Sequence, residues 1–147
     1  MRLSTKARYT LRAMIELAMR EGNGPQQLRE IAKAQQLSPK YLDQLTIPLR
    51  RAGLLRSARG PSGGYTLARP AREITALDIV VAVEGPLDLL DCIGNSVVCE
   101  RIPACAARQL WARVGQAMST VLSRATLADL RDSQRAANEA DTLSYEI

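Results

Sequence analysis

Ser38-Pro39-Lys40-Tyr41-Leu42-Asp43-Gln44-Leu45-Thr46-Ile47-Pro48-Leu49-Arg50-Arg51-Ala52-Gly53 decides the fold. A hydroxyl followed by Pro is a strong helix start. The side-chain oxygen can take an orphan N–H of the first turn, and Pro at the first helical position lacks only an N–H that has no partner there. Leu42, Leu45 and Leu49 then share one face, and Gly53 supplies the stop. Pro48 disagrees with this pattern: it cannot donate to Gln44, so a kink or a tightened turn is expected there.

Upstream, Ser4 or Thr5 can cap a first helix whose apolar stripe is Ala7, Leu11, Met14, Ile15 and Ala18, ending at Gly22-Asn23-Gly24-Pro25. Leu28, Ile31 and Ala32 mark a short second helix that ends near Leu37. Two helices joined by a short turn, the second opening with polar residues, match a helix-turn-helix, which places the start of its second helix in the major groove. Those residues are Lys40, Tyr41, Asp43 and Gln44. Gln44 can bond an adenine edge through both amide atoms, and Asp43 can accept from a cytosine amine. Any amphipathic helix also carries a polar face, so the helix pair alone does not settle the matter.

Downstream, Leu54-Leu55 and Tyr65-Thr66-Leu67 are strand candidates. They flank Arg56-Ser57-Ala58-Arg59-Gly60-Pro61-Ser62-Gly63-Gly64, a hairpin with a basic, Gly-rich tip. Such a wing lets Arg enter a narrow minor groove. The Gly cluster lacks the Lys-Ser/Thr ending of a phosphate-binding P-loop and opens no helix. Capping Ser38, the helix-end bases Arg50 and Arg51, and Arg56, Arg59, Ser62, Gly63 and Gly64 of the wing complete the candidate DNA-contacting set. The expected fold is mainly α with a small β wing: a winged helix-turn-helix followed by a long dimerisation helix.

Charge agrees. Residues 1–70 carry thirteen Lys and Arg against four acids, a net of +9, while residues 71–147 hold seven bases and eleven acids, a net of −4. A basic half joined to an acidic half suggests a polyanion-binding module with a regulatory or pairing part attached. The expected organisation is a DNA-binding domain over 1–70, a sensor loop and pairing helices over 71–137, and a flexible tail over 138–147.

In the second half, Thr75 can cap a helix through Ala76, Ile79, Val80 and Val83, stopped by Gly85-Pro86. Residues 88–105 read as loop. A longer helix starts near Ala106, where Leu110, Val114, Ala117 and Val121 step by 4, 3 and 4 as a pairing seam. Core packing is the other reading of that spacing, but a reader of two-fold DNA needs a dimer. Thr126 caps a short helix around Leu127 and Leu130, and from Asn138 onward no periodicity remains.

The chain has no His and three Cys. Zero His removes Ser-His-Asp and Cys-His catalysis and His-based zinc sites, and no nucleophile–base pair stands at informative spacing, so no enzyme is expected. Cys92, Cys99 and Cys105 fall in the loop, matching neither the C-x2-C knuckle nor a helical stripe. Three thiols this close can converge on a soft metal centre, iron–sulfur above all; unpaired thiols and a reversible disulfide are the alternatives. No apolar run approaches the roughly 20 residues of a membrane span and no signal-peptide core opens the chain, so a cytoplasmic location without membrane partners is expected.

Taken together, Met1-Arg2-Leu3-Ser4-Thr5-Lys6-Ala7-Arg8-Tyr9, Tyr41-Leu42-Asp43-Gln44-Leu45, Leu49-Arg50-Arg51-Ala52-Gly53-Leu54 and Arg59-Gly60-Pro61-Ser62-Gly63-Gly64-Tyr65 resemble the IscR-type iron–sulfur cluster regulators of the Rrf2 family of bacterial winged-helix transcription factors. The resemblance runs from Met1 to about residue 135. It implies a homodimer, repressor or activator, on palindromic promoter DNA. Asp43, Gln44 and Arg59 would read the DNA, and a 2Fe–2S or 4Fe–4S cluster would be held by Cys92, Cys99 and Cys105. The IscR type carries a His three residues after its last Cys; here Arg108 stands there. Nitric-oxide-sensing relatives use an Asp near the N-terminus, supplied by the partner subunit, and another relative uses a Glu there with a His four residues on; here those positions are Arg8 and Arg12. The fourth ligand is then Asp88, Asp91, Glu100, Ser96, or an outside thiol or water. The other expectation is a winged-helix regulator that senses thiol oxidation or a small ligand without a cluster.

Overall fold

The computed structural model describes residues 4–95 and 104–145. Its helices are α1 Thr5–Met19, α2 Leu28–Ala34, α3 Pro39–Arg51, α4 Ala76–Glu84, α5 Asp91–Gly94, α6 Ala106–Arg124 and α7 Leu127–Tyr145, with strands β1 Leu55–Ala58 and β2 Gly64–Leu67 and a 3-10 turn over Ala71–Glu73. The winged helix-turn-helix is thus present, with one two-stranded antiparallel sheet.

The starts are set by caps. Ser4 accepts from the Ala7 N–H, and Ser38 accepts from the Tyr41 N–H at 3.1 Å. Thr75 with Asp78 forms a reciprocal capping box. Thr126 and Asp129 repeat it: Asp129 accepts from the Thr126 N–H at 3.0 Å and hydroxyl at 2.6 Å, and these bonds hold its carboxyl below the ordinary range. The two boxes lie side by side, since Ala76 N–H bonds the Ala125 carbonyl at 2.8 Å and Leu127 N–H bonds the Ile74 carbonyl at 2.7 Å.

The turn of the helix-turn-helix rests on Gln36. Leu37 N–H reaches back to the Ala32 carbonyl at 2.8 Å and Gln36 N–H to the Lys33 carbonyl at 3.2 Å, the two bonds of a Schellman cap. That geometry puts Gln36 at φ 55°, the left-handed region where glycine normally sits. The same pair of bonds closes α3 at Gly53, φ 68°. α3 itself runs through Pro48 to Arg51, and Ala52 N–H bonds the Pro48 carbonyl at 2.9 Å. The Gln44 carbonyl loses its helical donor there, on an exposed residue.

One apolar core crosses the chain. Met14, Leu17 and Ala18 of α1 pack with Ile31, Leu42, Leu45, Leu49 and Leu54, and the same cluster takes in Ile74, Ile79 and Leu127. Glu21 adds a polar clasp, accepting from the Ala71 N–H at 3.1 Å and from Arg131 at 3.2 Å.

Two expectations change. Residues 91–94 form a helical turn within the expected loop. The last helix is not short: it extends to Tyr145, through the stretch expected to be a flexible tail. Ala136, Ala137, Glu139 and Ala140 are good helix formers, Gln134 donates to Asn138 at 2.9 Å one turn on, and residues 132–142 are exposed on every side. A helix that buries no stripe has no periodicity to read.

Replacing Gln36 with Gly should remove left-handed strain of about 1 kcal/mol. The urea midpoint is expected to rise with an unchanged slope; a fall would mean that the Gln36 side chain stabilises the turn.

Candidate nucleic-acid interface and cysteine loop

α3 and the wing form one braced unit. β1 and β2 pair in the register Leu55–Leu67, Arg56–Thr66, Ser57–Tyr65 and Ala58–Gly64. At the tip, Gly63 N–H bonds the Gly60 carbonyl at 2.9 Å across a turn with Pro61 in its second position. Tyr65 then ties the hairpin to its surroundings. Its N–H and carbonyl pair with Gln26 at 2.8 and 2.9 Å, and its phenol shares a 3.4 Å hydrogen bond with the hydroxyl of Thr46, which is buried in α3. Leu54 N–H to Leu49 and Ala68 N–H to Leu54 close the base at 2.9 and 3.0 Å.

Lys40, Asp43, Gln44, Arg50 and Arg51 of α3 and Arg56, Arg59 and Ser62 of the wing are exposed. No described carboxylate pairs with any of these five Arg and Lys, so their charge is available to phosphate. Other members of the expected set have packing reasons for their identity. Ser38 caps α3. Tyr41 is half-buried, edge-on to Tyr9 with ring centroids 6.1 Å apart. A Cβ on Gly63 would strike the Ala58 carbonyl, and one on Gly64 would strike the Gln26 carbonyl. The bridge at Gln26 and the exposed Ile47 on α3 escaped the sequence reading: the bridge joins residues distant in the chain, and Ile47 falls outside the leucine stripe that marks the buried face of α3.

Of the three cysteines, Cys92 and Cys105 are described, both free thiols and half-buried. Cys99, with the ligand candidates Ser96 and Glu100, lies outside the described residues. Cys105 is the N-cap of α6, its Sγ accepting from the Arg108 N–H at 3.4 Å. The Arg108 guanidinium donates through Nε to the Cys92 carbonyl at 2.9 Å. One residue thereby fastens both cysteine segments. Asp88 lies against the same turn, since a Cβ on Gly94 would collide with its carboxylate. Asp91 opens α5 and is exposed. Among the described residues no group of three or more Cys, Asp and Glu converges.

Arg8 and Arg12 face other work: both lie over the Tyr9 ring, and Arg12 donates to the Gln35 side chain at 3.0 Å and carbonyl at 3.1 Å. On α6 the expected seam is uncovered: Leu110 is 56% and Val121 69% exposed, Ala117 is exposed and Val114 half-buried. Gly115 occupies a different face, where the Leu87 carbonyl would stand 3.3 Å from an added Cβ.

Residues 3–133 match the family model Rrf2, described as an iron-dependent transcriptional regulator. The chain belongs to the Rrf2 family. This Rrf2 protein is 44% identical over 130 residues to the transcriptional regulator CymR of Bacillus subtilis, covering 88% of this chain and 89% of that one. The solved structure of CymR, titled the global cysteine regulator of B. subtilis, superposes with a TM-score of 0.76 at 43% identity, covering 90% and 98% of the two chains. The IscR structure from T. potens gives 0.75 at 38%, covering 92% and 90%. Both kinds of regulator share the match, so the likeness is to the family rather than to the IscR type alone. The chain is a DNA-binding transcriptional regulator and not an enzyme. No described helix is long and apolar enough to cross a membrane.

Arg59→Ala should weaken binding to a specific site, measured against a selected duplex. Gln44→Ala or Asp43→Ala should change which sequence is preferred by about 1–3 kcal/mol per lost base contact. Equal losses on specific and random DNA would make these phosphate contacts instead.

Proposed function

We propose that this Rrf2 protein is a homodimeric regulator of two-fold promoter DNA whose operator affinity is set by an iron–sulfur cluster on Cys92, Cys99 and Cys105. The two-armed hold of Arg108 on the Cys105 thiol and the Cys92 carbonyl carries this reading. It keeps two of the three cysteine segments together at the start of α6, and thiolates are the preferred ligands of such clusters. The donor set fits in kind. Asp88, against the turn that carries Cys92, is our candidate to complete it, where the IscR type has a His. Bound there, the cluster supplies a centre whose presence or oxidation state differs with iron supply, oxygen or nitric oxide.

This chain's own residues give a route to the DNA. α4 precedes the cysteine segment in the chain and packs into the core through Ile79, with Val80 also buried. The Ser4 hydroxyl donates to the Glu84 carboxylate, linking the start of α1 to the end of α4 just before the loop. The uncovered seam Leu110, Val114, Ala117 and Val121 is the surface for the second copy.

The family likeness to CymR favours a second reading: control by thiol oxidation or a small ligand with no cluster, since a solved relative at 43% identity is titled a cysteine regulator.

Protein purified without oxygen and supplied with ferrous iron and sulfide should turn brown, with iron bound per chain and absorption lost after Cys92→Ala, Cys99→Ala or Cys105→Ala. Colourless protein with three free thiols would end the cluster reading. A shift in operator affinity on oxidising those thiols would then support the second. Val121→Glu should convert the dimer to a monomer by light scattering; a persistent dimer would move the interface elsewhere.

A further inference from the structure

Ile47 is the one large apolar side chain that residues 4–70 leave exposed, at 43%. Among the described residues, the other exposed large hydrophobics are Val81, Leu90, Leu110, Trp111 and Val121, all in the second half of the chain. Ile47 follows Asp43 by four residues and Gln44 by three, and precedes Arg50 by three and Arg51 by four, so helical spacing sets all of them on one face. Leu42, Leu45, Thr46 and Leu49 are buried on the other side. The core therefore has no use for Ile47, and its neighbours are polar and charged.

An aliphatic chain here has one kind of partner in a major groove. It can form no hydrogen bond, and the apolar feature that base pairs present there is the 5-methyl group of a pyrimidine, thymine in ordinary DNA. A second copy of this chain is disfavoured as the cover, because Lys40, Arg50 and Arg51 would be set against their own like charges. DNA suits that charge. We infer that Ile47 is a specificity-determining residue that packs on a thymine methyl, one helical turn beyond the bases faced by Asp43 and Gln44. This rests on the reading of α3 as the base-reading helix.

The test uses the full chain and an operator enriched by the wild-type protein from a random-sequence duplex pool. Each thymine is replaced singly by deoxyuridine, which removes the methyl and keeps the base pair. At one position per half-site the wild-type protein should lose about fourfold in affinity, the worth of one buried methyl. Ile47→Ala should bind the thymine operator more weakly and show no further loss with deoxyuridine at that position. Ile47→Val, which keeps a branched methyl pair, should retain the penalty. Because Ile47 is exposed, Ile47→Ala should also keep the wild-type unfolding midpoint. Single cytosines methylated at C5 test the other source of this methyl; gain there, with no thymine penalty, overturns the thymine assignment. Penalties that persist unchanged in Ile47→Ala, or no penalty at any thymine, overturn the inference. Failure to enrich any sequence would instead overturn base reading by α3, and with it everything built on that helix.

Discussion

Tyr65 is the residue on which the arrangement of α3 and the wing depends. Its backbone pairs with Gln26 on one side and with Ser57 across the hairpin on the other, while its phenol meets Thr46 inside α3. A two-stranded hairpin alone is marginal in water. Docked through Tyr65 against the turn between α1 and α2, the wing gains a third chain to bond and a fixed offset from the helix beside it. Gly64 is the condition for this contact, because a side chain there would occupy the place of the Gln26 carbonyl. The Gly-rich tip thus reads as a requirement of assembly, and the exposed cations Arg56 and Arg59 project from a frame held elsewhere.

The second half is tied in by a similar device. The paired boxes at Thr75 and Thr126 bring the start of α7 against the start of α4, and Leu127 enters the core fully buried. Glu21 holds Arg131 and the Ala71 amide together. α6 is different. It is crossed by the segment before the cysteines at Gly115, where a Gly costs about 1 kcal/mol relative to Ala in a helix and the close Leu87 carbonyl explains its presence. The rest of its apolar seam is uncovered.

Much of this was legible because caps and stripes are local. Ser4, Ser38, Thr75 and Thr126 each announce a helix by side-chain chemistry, and the buried stripe of α3 is visible in its leucines. What escaped was of two kinds. Some features depend on contacts between distant residues: the Gln26–Tyr65 bridge joins positions with no common motif, and Arg108 gives no sign in the sequence that it will bond to Cys92. Others break a local habit because the surroundings impose it. Gln36 adopts a glycine conformation since two capping bonds of α2 require it there. The far end of α7 is helical through propensity and local bonds without burial, and burial is what periodicity reports. The three cysteines were legible as a group by spacing, but spacing does not say whether they hold a cluster.

The bracing has a consequence for control. α3 is fixed by its cap, by the core, by Thr46 against Tyr65 and by the Schellman bonds at both of its flanks. A signal at the cysteine loop would have to break several of these, at roughly 1 kcal/mol for each net hydrogen bond, to reshape the reading face itself. Moving the face as a body is less costly. In a dimer the two recognition helices must match half-sites about 34 Å apart, and a small change in their separation reduces affinity on both at once. α6 is suited to transmit such a change, because its first turn is capped by Cys105 and its length carries the seam proposed to pair two copies. Control in the proposed regulator would then act on how two rigid reading units are spaced, through a helix that begins at a cysteine.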